Sequence, residues 1–127
     1  MNDAVPAARI ETIERGYEFL LAYAAQGRQD DRGTEARATL TAMFEAMKGL
    51  AAELRAPFAA VADATDFLDA VERDAAAARG AIAIVLSRES IASLLVDNLN
   101  ANVHLRALLT DLFLLEQAGR AAARHSS

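Results

Sequence analysis

Residues 36–54 read ARATLTAMFEAMKGLAAEL, and the spacing of their apolar side chains decides the fold class. Ala36, Leu40, Met43, Phe44, Met47, Leu50, Ala51 and Leu54 return every three or four positions. That is the period of an α-helix with one buried face, whereas a half-buried strand would alternate every second residue. Thr34 stands where an N-cap belongs, and Glu35 complements the positive end of the helix dipole. Ala56-Pro57 closes the stretch, because proline disfavours helical geometry in the residue before it.

The same period extends in both directions. Upstream, Ile10, Ile13, Tyr17, Leu20, Leu21 and Ala24 predict a helix from about Pro6 to Gln26, with Gly27 as its C′ residue and a polar loop over Arg28–Gly33. Downstream, Val61, Ala64, Leu68, Val71, Ala75, Ala78, Ile82 and Val85 predict a third helix over 57–86, continuous or jointed at Gly80. Ser87 then reads as the N-cap of a last helix over 88–123, striped by Ile91, Leu94, Leu95, Ala101, Leu105, Leu108, Leu112 and Leu115. Asn98, Asn100 and Asn102 crowd one stretch of it, and asparagine prefers caps to helix interiors, so a break is expected near 97–102. Short joints make successive helices antiparallel neighbours. The expectation is an all-α, antiparallel four- or five-helix bundle forming one domain over residues 1–127, with loose ends at Met1–Val5 and Arg124–Ser127.

Composition supports that class and removes several functions. Hydrophobic residues make up 54% of the chain, enough for a real core in 127 residues. Alanine and leucine dominate them, and both favour helix. The net charge of −5 is shared, with 7 basic and 9 acidic groups in residues 1–56 and 6 and 9 in residues 57–127. Neither half has the local excess of Lys and Arg that binding phosphate requires, which argues against nucleic acid and anionic membrane surfaces. The absence of cysteine rules out disulfides, thiolate nucleophiles and zinc–thiolate sites. The opening Met1-Asn-Asp-Ala-Val-Pro6 does not resemble a signal peptide, and the apolar run Ala81–Leu86 is far too short for a membrane span. A cytoplasmic location is expected.

One irregularity points towards function. Successive helical residues sit about 100° apart, so Leu112, Phe113, Leu114 and Leu115 point in four directions around the axis. Ile82, Ile84, Val85 and Leu86 do much the same, and Leu94, Leu95 and Val96 form a milder case. One face per helix suffices in a small bundle, so the surplus must be covered by a helix packed on all sides within the chain, by a subunit interface or by an apolar ligand, and a homodimer interface is the commonest of these. Ile84, Leu86, Leu94, Asn98, Leu109, Phe113 and Leu114 are the candidate interface residues, and a two-fold homodimer is the expected assembly. Asn98 falls on the Leu94/Leu105 stripe, where a buried amide could fix register. Asp63, Asp66 and Asp69, followed by Glu72 and Asp74, form a candidate docking face for a basic protein partner, or simply a solvated helix face.

Catalytic and cofactor chemistry finds little support. A carboxylate-bridged di-metal bundle needs Glu-x-x-His twice, but Ala101 and Ala122 stand three residues before His104 and His125. His104 is the only histidine away from the chain end, and a bulky Leu108 four residues on argues against an open phosphotransfer histidine. It is expected to be partly buried and structural. Tyr17, Phe19, Tyr23, Met43, Phe44 and Met47 could line a cavity, but at helical spacing they read as core. No residue is assigned a catalytic role, and no metal or cofactor is expected. The preferred expectation is a non-catalytic interaction or adaptor protein. The alternatives are a bundle that binds an apolar ligand and a small all-α enzyme that grips an anion with Arg9, Arg15, Arg37 or Arg106.

Overall fold

The computed structural model describes the backbone over residues 4–126 and side chains over 4–120. Within those residues all secondary structure is helical, without strands. Six α-helices pack on one another: α1 (Ala7–Ala24), α2 (Ala36–Met47), α3 (Leu50–Arg55), α4 (Thr65–Leu86), α5 (Ser93–Ala101) and α6 (Val103–Ser126). Helix α1 packs chiefly on α2 and α5, while α4 lies against α2, α3 and α6.

The helix read as continuous over 36–54 is interrupted and the last helix breaks as well, which makes six α-helices among the described residues rather than four or five. The stripe over 36–54 breaks at Gly49, which takes φ +71° after an extended Lys48. Met43, Met47, Leu50 and Leu54 are all buried on both sides of the break, so it preserves the helical period. Arg9 occupies the frayed end of α2, donating to the carbonyls of Ala46 at 3.2 Å and Lys48 at 2.6 Å. The second break falls at Asn102, inside the expected window. Its backbone is extended, and its Oδ1 accepts from the His104 and Leu105 amides at 3.0 and 3.4 Å, capping α6.

Three other boundaries differ from expectation. Helix α4 starts at Thr65 rather than 57, because Ala56–Phe58 form a 3₁₀ turn and the chain turns twice more before Ala64. Gly80 lies within α4 without a break, exposed and meeting nothing. Ser87 ends α4 instead of opening a helix, its hydroxyl donating to the Ile84 carbonyl at 2.6 Å. Thr34 stands one residue before the N-cap, which is Glu35, and its hydroxyl accepts from the Ala36 amide at 3.3 Å. Of the expected loose ends, Met1–Asp3 and Ser127 lie outside the described residues. Val5 packs on the core and α6 remains helical to Ser126.

The core draws on all six helices, with Ile10, Ile13, Leu20, Leu40, Met43, Leu50, Leu54, Val71, Ile82, Val96, Leu105, Leu108 and Leu112 wholly buried. Burying each such side chain contributes roughly 1.5–3 kcal/mol. Gly16 allows α1 to approach α2 closely, since a methyl group there would overlap Met43 Cγ and Sδ. Polar contacts fix the end of the molecule where α1, α4 and α5 meet the loops. The Tyr23 hydroxyl donates to the Ile91 carbonyl at 2.6 Å, and Ser93 Oγ donates to the Tyr23 carbonyl at 2.8 Å. Arg37 donates to the carbonyls of Leu86 and Arg88, both at 2.9 Å, and so closes the C-terminus of α4.

Candidate interaction surface

Each over-apolar run is divided between core and solvent. Ile82 and Val85 are buried, yet Ile84, between them, is 67% exposed and Leu86 half-buried. Val96 is buried, Leu95 half-buried, and Leu94 71% exposed. Leu112 and Leu115 enter the core while Phe113 and Leu114 remain 51% and 58% exposed. The helical period dictates this division: a run of four apolar residues surrounds the axis, and the fold covers about half of it.

The first two runs meet. The C-terminal part of α4 and the outer side of α5 enclose an open groove of about 180 Å³, lined by Ala81, Ile84, Val85, Leu95, Asn98, Leu99 and Asn102. Its lining carries no charge, and Asn98 and Asn102 are its only polar side chains. Ile84 and Asn98 are thus brought together, beside the exposed Leu94 of the same α5 turn. Phe113 and Leu114 do not line this groove. Leu109 is buried in the core, so it contributes nothing to an exposed face.

The asparagines have three different roles. Asn98 is exposed in the single chain. Asn100 is the buried one, its Nδ2 donating to the Leu20 carbonyl at 3.0 Å while its Oδ1 has no partner. Asn102 is the α6 cap. Asn98 and Asn100 are two positions, about 200°, apart on α5 and so face opposite ways, and the α5–α6 break leaves Asn102 at a helix start.

The members of the acidic stretch have different surroundings. Asp63 precedes α4, and Asp66 lies in its first turn, where a carboxylate complements the helix dipole. Asp69 and Glu72 both accept from Arg55 Nη2, at 2.8 and 2.7 Å. Asp74 faces α6, where its carboxyl neighbours that of Asp111. Burial, then the Asp74 carboxyl beside it, raise the Asp111 carboxyl to about 7. A second carboxyl pair joins α1 to α6 through Glu14 and Glu116; burial first, then Glu116, raises Glu14. Sequence reading missed both pairs. The available signal was position, since Asp111 and Glu116 directly flank the buried Leu112 and Leu115 of the α6 stripe.

The remaining candidates have structural surroundings. The His104 side chain is 53% exposed, against the expectation of burial, because its helix begins only at Val103 and turns that face outward. Its Nδ1 lies 3.9 Å from Asp74 Oδ1, an ion pair only when the imidazole is protonated. His125 lies outside the described side chains. Met43, Met47 and Tyr23 are core, and the half-buried Phe44 ring is covered by Lys48 and Arg79. Arg9 and Arg37 are engaged with helix-end carbonyls, and Arg15 pairs with Glu11 at 3.1 Å. No group of three or more His, Cys, Asp or Glu among the described residues is arranged to hold a metal ion. No helix among them is long and apolar enough to cross a membrane. Comparison of the chain with family models, with curated proteins and with solved structures finds no match.

Proposed function

We propose that the protein is a cytoplasmic, non-catalytic interaction module, an antiparallel helical bundle that pairs with a second copy of itself through the α4–α5 groove. The observation that carries this reading is the groove itself, uncharged and flanked by Ile84 and Leu94, two of the most exposed large apolar side chains. Exposed apolar surface of this kind is costly in water and is relieved by a partner. Three features favour a second copy. Asn98 carries both a donor and an acceptor, so the same amide facing itself across a two-fold axis can satisfy both copies. An uncharged patch also lets two chains of net charge −5 meet without placing like charges in contact. Leu94, beside the groove, supplies the kind of side chain a shallow apolar groove accommodates.

Groove size weighs against the small-ligand alternative. About 180 Å³ falls below the several hundred Å³ typical of small-molecule pockets, yet it suits one or two aliphatic side chains. For the bundle arrangement, the support lies along α4: Asn102 lies beside Ala81, and Asp74 meets both His104 and Asp111, as expected for α6 running opposite to α4.

Sedimentation equilibrium across a concentration series tests the proposal. A reversible dimer is expected from the unaltered chain, and a monomer with unchanged circular dichroism from the Ile84→Glu/Leu94→Glu variant. A monomer at every concentration of the unaltered protein would overturn self-pairing.

A further inference from the structure

Helix α6 joins its neighbours through two carboxyl pairs of the same kind. On one side Glu14 of α1 meets Glu116, and on the other Asp74 of α4 meets Asp111. In each pair a carboxyl oxygen, Glu14 Oε2 or Asp111 Oδ2, is buried with no hydrogen-bond donor. A carboxylate has only acceptors, so two neighbouring ionised carboxylates repel and neither can donate to the other. One proton changes the sign of the contact. It supplies the missing donor, removes one charge, and turns the pair into a hydrogen bond between helices.

We propose that α6 is held by a proton-operated double latch, one shared proton at Glu14/Glu116 and one at Asp74/Asp111, which loosens when the protons leave.

The surroundings set which pair matters more. Around Glu14, Arg120 opposes proton uptake and Glu11 favours it, and Arg120 itself pairs with Glu116 at 3.4 Å. At Asp111 the charged neighbour that acts is Asp74 of α4, and it favours proton uptake. His104, on α6 like Asp111, lies 3.9 Å from Asp74 through its Nδ1. The Asp74/Asp111 pair therefore dominates, and the Glu14/Glu116 pair adds to it in the same direction.

The direction of linkage follows from the raised Asp111 carboxyl. The folded chain holds this proton up to about pH 7, whereas an unfolded aspartate releases it near 3.8. Stability from the latch is fully present below the unfolded value and declines as pH rises between the two. By pH 8 the proton has left and the pair is repulsive. The device is independent of whether the groove pairs two copies, since neither carboxyl pair lines it.

The test is a carboxyl-carbon NMR titration of the full chain, with amide hydrogen exchange along α6 at pH 5 and pH 8. The Asp111 carboxyl is expected to titrate near 7, and the opening equilibrium of α6 to be at least about tenfold less favourable at pH 5 than at pH 8 after correction for intrinsic exchange. Asp111→Asn, whose amide donates to Asp74 without needing a proton, should remove most of that difference. Should this variant not fold, the titration of the unaltered protein still decides the matter. An Asp111 midpoint near 4, or equal α6 protection at the two pH values, would overturn the latch.

Discussion

The α4–α5 groove and the flanks of α6 depart from a simple amphipathic bundle in opposite senses. At the groove, Ile84 and Leu94 leave apolar surface in water; beside α6, Asp111 and Glu14 carry carboxyls into the protein. Each arrangement costs free energy in an isolated subunit, and each is relieved by a different agent. Apolar surface is relieved by another apolar surface, which makes the groove sensitive to protein concentration. A half-buried carboxylate beside another is relieved by a proton, which makes the α6 flanks sensitive to pH. Two physical variables thus act on two regions that share α4 as a wall.

The largest expected effect separates core from surface within a single run. Leu112→Ala should cost about 3 kcal/mol in denaturant unfolding, because Leu112 is wholly buried and the α4–α6 contact would be left with a cavity. Phe113→Ala, next to it but half exposed, should cost no more than about 0.5 kcal/mol. Equal costs would mean that the core boundary on α6 is misplaced.

Next in size is the groove. Ile84→Glu with Leu94→Glu should weaken self-association about a hundredfold, some 2.7 kcal/mol, while leaving the thermal midpoint of the dilute protein almost unchanged. If instead the dilute protein melts early and its association constant stays the same, the two side chains support the fold and not the interface.

A smaller effect is expected at the α6 cap. Asn102→Ala removes the acceptor for the His104 and Leu105 amides and should cost about 1 kcal/mol by chemical denaturation, with Asn102→Asp largely retaining stability. Smallest is the minor latch. Glu14→Gln should slightly raise the melting temperature at pH 8 and have little effect at pH 4, since Arg120 already offsets part of the repulsion there. The reverse order, a loss at pH 8, would show that ionised Glu14 is stabilising and that only the Asp74/Asp111 pair acts as a latch.

Much of the fold was legible because periodicity reports burial directly. The stripes that predict α1, α2, α4 and α6 name mostly buried residues, from Ile10 and Leu20 to Leu108 and Leu115, although Leu21, Val61 and Leu94 in the same stripes are exposed. Helix ends were less legible. Gly49 escaped notice because the chain resumes its helix with Met47, Leu50 and Leu54 still in phase. Asn102 was visible as a breaker, yet only the extended backbone at that residue shows which of three asparagines breaks the helix. The candidate surface was legible as a surplus of apolar residues but not as a place. Leu109 and Phe113 look equivalent in a list of side chains, and only packing sends one inward and the other out.

Taken alone, the order of residues determined helix, the inward face of most helices, the acidic balance and the excess of apolar side chains. Those properties are local: they depend on a period of 3.6 residues and on counting. Tertiary structure decided what is distant in sequence, that Ile84 and Asn98 share a groove and that Asp74 meets Asp111 across 37 positions. Contacts between helices depend on where each one stops and how it is rotated, and a single break such as Gly49 or Asn102 resets both.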